Sequence, residues 1–315
     1  MSLTIQILTN NNENTIEKCL SSIESLGKIV IIDVGSTDST LKICRDFGCA
    51  IVNQTAGNDY SRVRNKQLTD HWNMYLSPHE FLVEGRSDIQ KIVRSEDQES
   101  FLFKVVQGTV ISKEIRLWNK NLRFVNPVFE KITDPVALES NIIIYSEQHA
   151  INLDERLKLI EVWKKTNPTA IDPYYYHALT LLLQGKFLEF VSLAEHYLFK
   201  DKSSQSAVMM RYYLAMTQAY QLSNYNEAVK NVLTCIGYRP KMAEFWCLLG
   251  DIHYSLNQYA SATTFYDNAI ILGSQRKQSD RWPLDVSKYQ EHPKAMMQNI
   301  KELLADVKIY RELSK

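Results

Sequence analysis

A repeat of 34 residues in the C-terminal half limits the possible folds more than any other feature. Tyr220, Tyr225 and Ala228 return as Tyr254, Tyr259 and Ala262, and Tyr212 corresponds to Trp246. Small and aromatic positions recurring at this period indicate a stack of like helical units, none able to bury its apolar side alone. The clearest copy is WCLLGDIHYSLNQYASATTFYDNAI, in which Trp246, Leu249, Gly250, Tyr254, Ala262, Phe265 and Ala269 are the packing positions. Pro240 closes the unit before it. A weaker copy lies upstream in YYYHALTLLLQGKFLEFVSLAEHYL, where Phe187 precedes Tyr225 by 38 residues and KDKSSQS supplies a longer turn. From about Asn152 to the end the apolar spacing is helical.

The first half has another rhythm. Residues 3–8 (LTIQIL) and 28–33 (KIVIID) are short β-branched runs bounded by polar turns. Between them Ile16, Cys19, Leu20 and Ile23 fall at helical spacing, Thr40–Phe47 reads as a helix and Cys49–Asn53 as another strand. Strand, helix, strand, helix, strand means a parallel sheet with crossover helices. Ligands of such sheets bind at the carboxyl ends of the strands, which directs attention to the loops at Thr9–Asn12 and Asp33–Asp38. From Ser100 to Ser146 the pattern is strand-like, in FLFKVVQGTVIS, EIRLWNK, LRFV and NIIIYS. The expected organisation is therefore an α/β domain over 1–151 and an all-α repeat domain over 152–315.

The 34-residue copies resemble tetratricopeptide repeats, which implies a surface that holds a protein or peptide partner. TIQILTNNNENTIEKCLSSI followed by IVIIDVGSTDSTLKIC resembles the opening of family 2 glycosyltransferases of the GT-A fold. YSRVRNKQL is similar to the next block of that family, and RLWNKNLRFVNPVFEKI to its later acceptor-side segment. The two halves together resemble bacterial glycosyltransferases with tetratricopeptide repeats, including those that modify peptides. This resemblance implies a Rossmann-like nucleotide-sugar domain that transfers a sugar, from a donor expected to be UDP-linked, to a protein, peptide or glycan.

The residue types suit that chemistry. A strand-end carboxylate such as Asp33 can accept hydrogen bonds from a uracil N–H or ribose hydroxyls. Gly35 permits the tight turn after it. Ser36 and Asp38, with Asn11 in the neighbouring loop, join the donor side; helix capping is the competing account of Ser36 and Asp38. Arg64 can bind a diphosphate in bidentate fashion, and Asn65 can organise the loop. By the resemblance Glu130 is the base that deprotonates an acceptor, although Phe129 stands where relatives often have histidine. Asn12 occupies a position that is often acidic.

The largest departure follows the apolar strand HWNMYL. The family's Asp-x-Asp binds Mg²⁺ or Mn²⁺, and here Ser77 and His79 take the places of its two aspartates. Three readings stay open. His79 and Glu80 can form a substitute metal site, with His149 as a further ligand. Transfer can proceed without metal, the diphosphate charge being carried by Arg64 or other cations. Or activity is lost and the fold is kept as a non-catalytic scaffold or partner subunit.

Composition excludes some alternatives. With 36 basic and 36 acidic residues there is no global field to gather nucleic acid, so no such partner is expected. Five cysteines (Cys19, Cys44, Cys49, Cys235, Cys247) without C-x-x-C spacing read as reduced thiols of a cytoplasmic protein. No apolar run is long enough to span a bilayer, so no transmembrane segment is expected.

Overall fold

The computed structural model describes residues 2–54, 57, 59–69, 71–95, 97, 99–119, 121–149, 152–277 and 280–313. The chain divides into two compact units, Met1–Asn152 with Arg281–Leu284, and Leu153–Asp280 with Asp285–Lys315. Residue 151, the last of the expected first domain, lies outside the described residues.

The first unit opens with β1 (Leu3–Thr9), α1 (Ile16–Ile23), β2 (Lys28–Asp33), α2 (Thr40–Asp46), β3 (Ala50–Asn53) and α3 (Tyr60–Asn65). β4 (Trp72–Leu76), β5 (Glu80–Glu84), α4 (Arg86–Ile92), β6 (Ser100–Gln107), β7 (Val110–Trp118) and β8 (Leu138–Ser146) follow. The strands form one sheet in the order β3-β2-β1-β4-β7-β6-β8-β5, and β9 (Leu284–Asp285) pairs with β7. β3, β2, β1 and β4 run parallel, with Ile7 opposite both Ile31 and Leu76. β7 then runs antiparallel to β4 and to β6.

Local sequence explains this half. In α1 the residues Ile16, Cys19, Leu20 and Ile23 make one buried stripe. They share a core with Leu3, Ile5 and Ile7, which point to one face of β1. Gly27 lies so close to β1 that a Cβ there would stand 2.5 Å from the Leu3 carbonyl oxygen, which side-chain-bearing residues cannot accept. Because the four parallel strands end on the same side, the loops after Thr9, Asp33 and Leu76 are neighbours.

Two strand expectations are corrected. FLFKVVQGTVIS breaks at Gly108 (φ +57°), and its last part joins EIRLW as the single strand β7. LRFV is no strand; Val125 makes one isolated bridge to Lys131. The backbone partners of Phe124 come from a side chain instead. Asn65 Nδ2 donates to the Phe124 carbonyl, and the Phe124 N–H donates to Asn65 Oδ1, both at 2.9 Å. The helical pattern after Asn152 is also interrupted, by β9.

The second unit is a series of helices: α5 (Leu153–Thr166), α6 (Asp172–Leu183), α7 (Phe187–Lys200), α8 (Gln205–Tyr220), α9 (Tyr225–Tyr238), α10 (Ala243–Ser255), α11 (Tyr259–Gly273) and α12 (Glu291–Leu313). Consecutive helices pack as hairpins, α6 on α7, α8 on α9 and α10 on α11. The repeat positions explain why. A Cβ on Gly250 would lie 2.5 Å from the Tyr266 ring, so only glycine lets α10 approach α11 this closely. Ala228, Ala262 and Ala269 are fully buried at their helix contacts. Among the described residues no helix is long and apolar enough to cross a membrane.

Candidate functional site

The strand-end loops are joined to each other. Asn11 adopts a left-handed backbone (φ +55°), which asparagine tolerates. Its N–H donates to Ser36 Oγ at 3.0 Å, and its Oδ1 accepts from the N–H groups of Thr37 at 2.7 Å and Asp38 at 3.3 Å. The Glu13 N–H donates to Asp38 Oδ2, while Asp38 Oδ1 accepts from the Thr40 N–H. Asp38 is exposed. What little desolvation it has works to raise its pKa, and the hydrogen bonds from Thr40 and Glu13 hold it below its usual value. Asp33 is buried and closes its own turn, accepting from the Gly35 N–H at 3.2 Å and the Ser36 N–H at 3.1 Å. The structure therefore brings together Asn11, Asp33, Ser36 and Asp38: Asn11, Ser36 and Asp38 fasten one loop to the next, and Asp33 closes the turn of its own loop.

Arg64 and Glu130 also meet, although 66 positions apart: Arg64 Nε donates to Glu130 Oε1 at 2.7 Å. Asp59 caps α3 by accepting from the Arg62 N–H at 2.9 Å, and Val63 seats the helix against Val30 and Ile32. Arg64 is thereby held inside, near the rings of Tyr75 and Phe124, with Nη1 buried and lacking a hydrogen-bond partner among the described residues. The Asn65 amide is engaged by both backbone groups of Phe124. Phe129, beside Glu130, has φ +56°. For an aromatic residue that backbone stores strain of about 1–3 kcal/mol.

The three residues expected to ligate a metal do not fit one. Both oxygens of the buried Glu80 are taken by Arg116, Oε2 by Nη1 and Oε1 by Nη2, each at 2.8 Å. Oε2 also accepts from the Ser77 N–H at 2.7 Å. Burial works to raise the Glu80 pKa, but the Arg116 charge and these hydrogen bonds outweigh it and hold the carboxyl below its usual range. His79 and His149 stack face to face with centroids 3.6 Å apart, so their nitrogens do not converge on one point. Burial first, then His149, pushes His79 down to about 4. Among the described residues no group of three or more His, Cys, Asp or Glu side chains is placed to hold a metal ion.

Sequence reasoning missed Arg116, Tyr75 and Gln6. Arg116 lies over the Tyr75 ring at 4.3 Å and also reaches Glu114 at 2.9 Å. Gln6, fully buried on β1, has neither amide atom hydrogen-bonded among the described residues. The available signal was an arginine inside the apolar run EIRLW, a placement that demands a buried acidic partner.

No family model matches the chain, and no curated protein matches it. The chain has partial likeness to several solved structures, all at TM-scores below 0.5. MamA 41-end from Desulfovibrio magneticus RS-1 shares 17% identity over 52% of this chain and 87% of that one, with a TM-score of 0.38. MamA MSR-1 C2 shares 17% over 39% and 68%, with 0.35. The Sgt2 TPR domain from Aspergillus fumigatus shares 12% over 44% and 81%, also with 0.35.

Proposed function

We propose that this chain is a family 2 glycosyltransferase-type protein working as a non-catalytic scaffold, which binds a protein partner through its tetratricopeptide-like repeats. One observation carries this reading: the carboxylate expected at the metal position, Glu80, is held in a buried bidentate pair by Arg116. The other polar groups expected of the donor side are also committed within the fold. Asn11, Asp33, Ser36 and Asp38 close the loops, and Glu130 faces Arg64. A nucleoside diphosphate brings two or more negative charges, and the ion pairs of Arg64 and Arg116 already neutralise both guanidiniums. The alternation of parallel strands and helices, with these residues at the strand ends, supports descent from a nucleotide-sugar fold.

A second reading is favoured by one specific feature. Arg64 Nη1 is a buried donor, without a hydrogen-bond partner among the described residues, next to a carboxylate, an arrangement suited to metal-free sugar transfer from a UDP-linked donor. The two separate in one assay. The full chain is incubated with a panel of nucleotide sugars with and without Mn²⁺, following sugar release and the melting temperature. The scaffold reading expects neither turnover nor stabilisation. Turnover above that of Glu130→Gln would sink it and establish the second.

A further inference from the structure

We propose that Cys44 and Cys49 are a dithiol site, which a low-molecular-weight disulfide oxidises to an intramolecular disulfide. The site is independent of the proposed partner binding. The turn that ends α2 brings the two cysteines together. The Gly48 N–H donates to the Arg45 carbonyl at 2.9 Å, and the Cys49 N–H donates to the Cys44 carbonyl at 3.0 Å. With Gly48 in the left-handed region (φ +69°), these two bonds make a Schellman turn. A Cβ on Gly48 would meet nothing within 4 Å, so glycine serves the backbone angle there and not close packing. Turns of this kind often set an apolar contact between the two residues that close them, and here both are cysteines. Covalent geometry and the 3.0 Å hydrogen bond hold their Cα atoms within about 7 Å of each other. Disulfides span Cα separations of roughly 4.4–6.8 Å. Both side chains belong to one core, Cys44 as a buried member and Cys49 packed against it.

The two thiols differ in access: Cys44 is fully buried and Cys49 half-buried. Exchange therefore begins at Cys49. Its thiolate attacks one sulfur of the reagent, which forms a mixed disulfide and expels one reagent thiolate. The Cys44 thiolate then attacks the Cys49 sulfur, closing the Cys44–Cys49 bond and expelling the second reagent thiolate. Both protons lost by the protein end on the reagent thiols. The protein is oxidised by two electrons and the reagent reduced by two. Cys19 lies in the same core, but its S–H donates to the Ser77 carbonyl at 3.6 Å. Burial pushes the Cys49 thiol up. Burial first, then Cys49 and Asp33, push the Cys44 thiol up to about 12, with Arg45 opposing. Because the thiolate is the nucleophile, the pair reacts slowly at neutral pH and faster as pH rises.

The test equilibrates the full chain in mixtures of reduced and oxidised glutathione, alkylates the remaining thiols and maps tryptic peptides by mass spectrometry. Arg45 lies between the two cysteines, so trypsin leaves them in separate peptides that only the disulfide joins. The expected product is that joined pair. Its equilibrium constant should be roughly tenfold larger in the folded chain than in urea, because the turn already holds the two residues at bonding range. Its rate of formation should rise roughly tenfold between about pH 7 and pH 8. Cys44→Ala should stop at the glutathione adduct of Cys49, and Cys49→Ser should leave Cys44 unmodified. Far-UV circular dichroism verifies that both variants stay folded. A constant equal to or smaller than that in urea would overturn the proposal. So would a wild-type chain that keeps glutathione on Cys49, or one that joins Cys49 to Cys19.

Discussion

At the scale of the residue, the Arg116–Glu80 pair is the group whose removal has the clearest consequence. Arg116→Met leaves a carboxylate buried without its counter-ion, a change that typically destabilises by about 3–5 kcal/mol. Hydrogen exchange at the β4 and β7 amides of the full chain should rise accordingly. The double variant Arg116→Met, Glu80→Gln should recover much of the loss, because no unpaired charge then remains at that buried place. A smaller effect of the single variant than of the double would contradict this account. Asp251 is the counterpart in the helical unit. It accepts from Tyr220 Oη at 2.6 Å, Tyr266 Oη at 2.7 Å and His292 Nε2 at 2.8 Å. Burial works to raise its pKa, and these partners, His292 first, more than reverse that. A carboxyl held below its unfolded value stabilises the fold at pH above that value, about 3.9, and loses the contribution as pH falls through the lowered one. Acid unfolding below about pH 4 should therefore be shallower for Asp251→Asn than for the wild type, as followed by circular dichroism.

At the scale of the element, Gly250 tests the helical repeat. Gly250→Ala favours the isolated helix slightly but drives a methyl group into the Tyr266 ring, 2.5 Å away. Overpacking of this kind destabilises by about 1–3 kcal/mol, and a lowered melting temperature is the expected outcome. An unchanged or raised value would mean that α10 and α11 can separate freely. Elements of this sort are legible in the sequence, because their causes are local. The α1 stripe and the 34-residue return of tyrosine and alanine are written in the spacing alone. The place of Phe124 is not legible there. LRFV has strand composition, but the backbone groups of Phe124 are claimed by Asn65, which lies 59 positions earlier, and pairing at that range leaves no local trace. The candidate site divides in the same way. Chemistry picks out Asn11, Asp33 and Asp38 as polar groups at strand ends, yet it does not say that they are consumed in fastening the loops. The apolar run EIRLW marks Arg116 as needing a buried partner, but which partner follows only from the sheet order, which sets β7 beside β4.

At the scale of the whole molecule, the first unit is not continuous in sequence. Residues Arg281–Leu284 belong to it, and Arg281 Nη1 donates to the Pro135 carbonyl at 3.1 Å, with Nη2 donating to that of Ala137. A fragment ending at residue 152 lacks these donors. It should show faster hydrogen exchange in the turn around Asp134–Leu138, by a factor reflecting about 1–3 kcal/mol of lost hydrogen bonding. Arg281→Ala in the full chain should reproduce the effect, and full protection of the fragment would refute it. The discontinuity also sets a timetable on the ribosome. The α/β unit is the first to be synthesised, yet it lacks Arg281 until the intervening repeats have been translated. At about 5–20 residues per second that interval is on the order of ten seconds. During it the nascent chain carries an unfinished sheet, and the unit begun first is completed only after most of the second has been made.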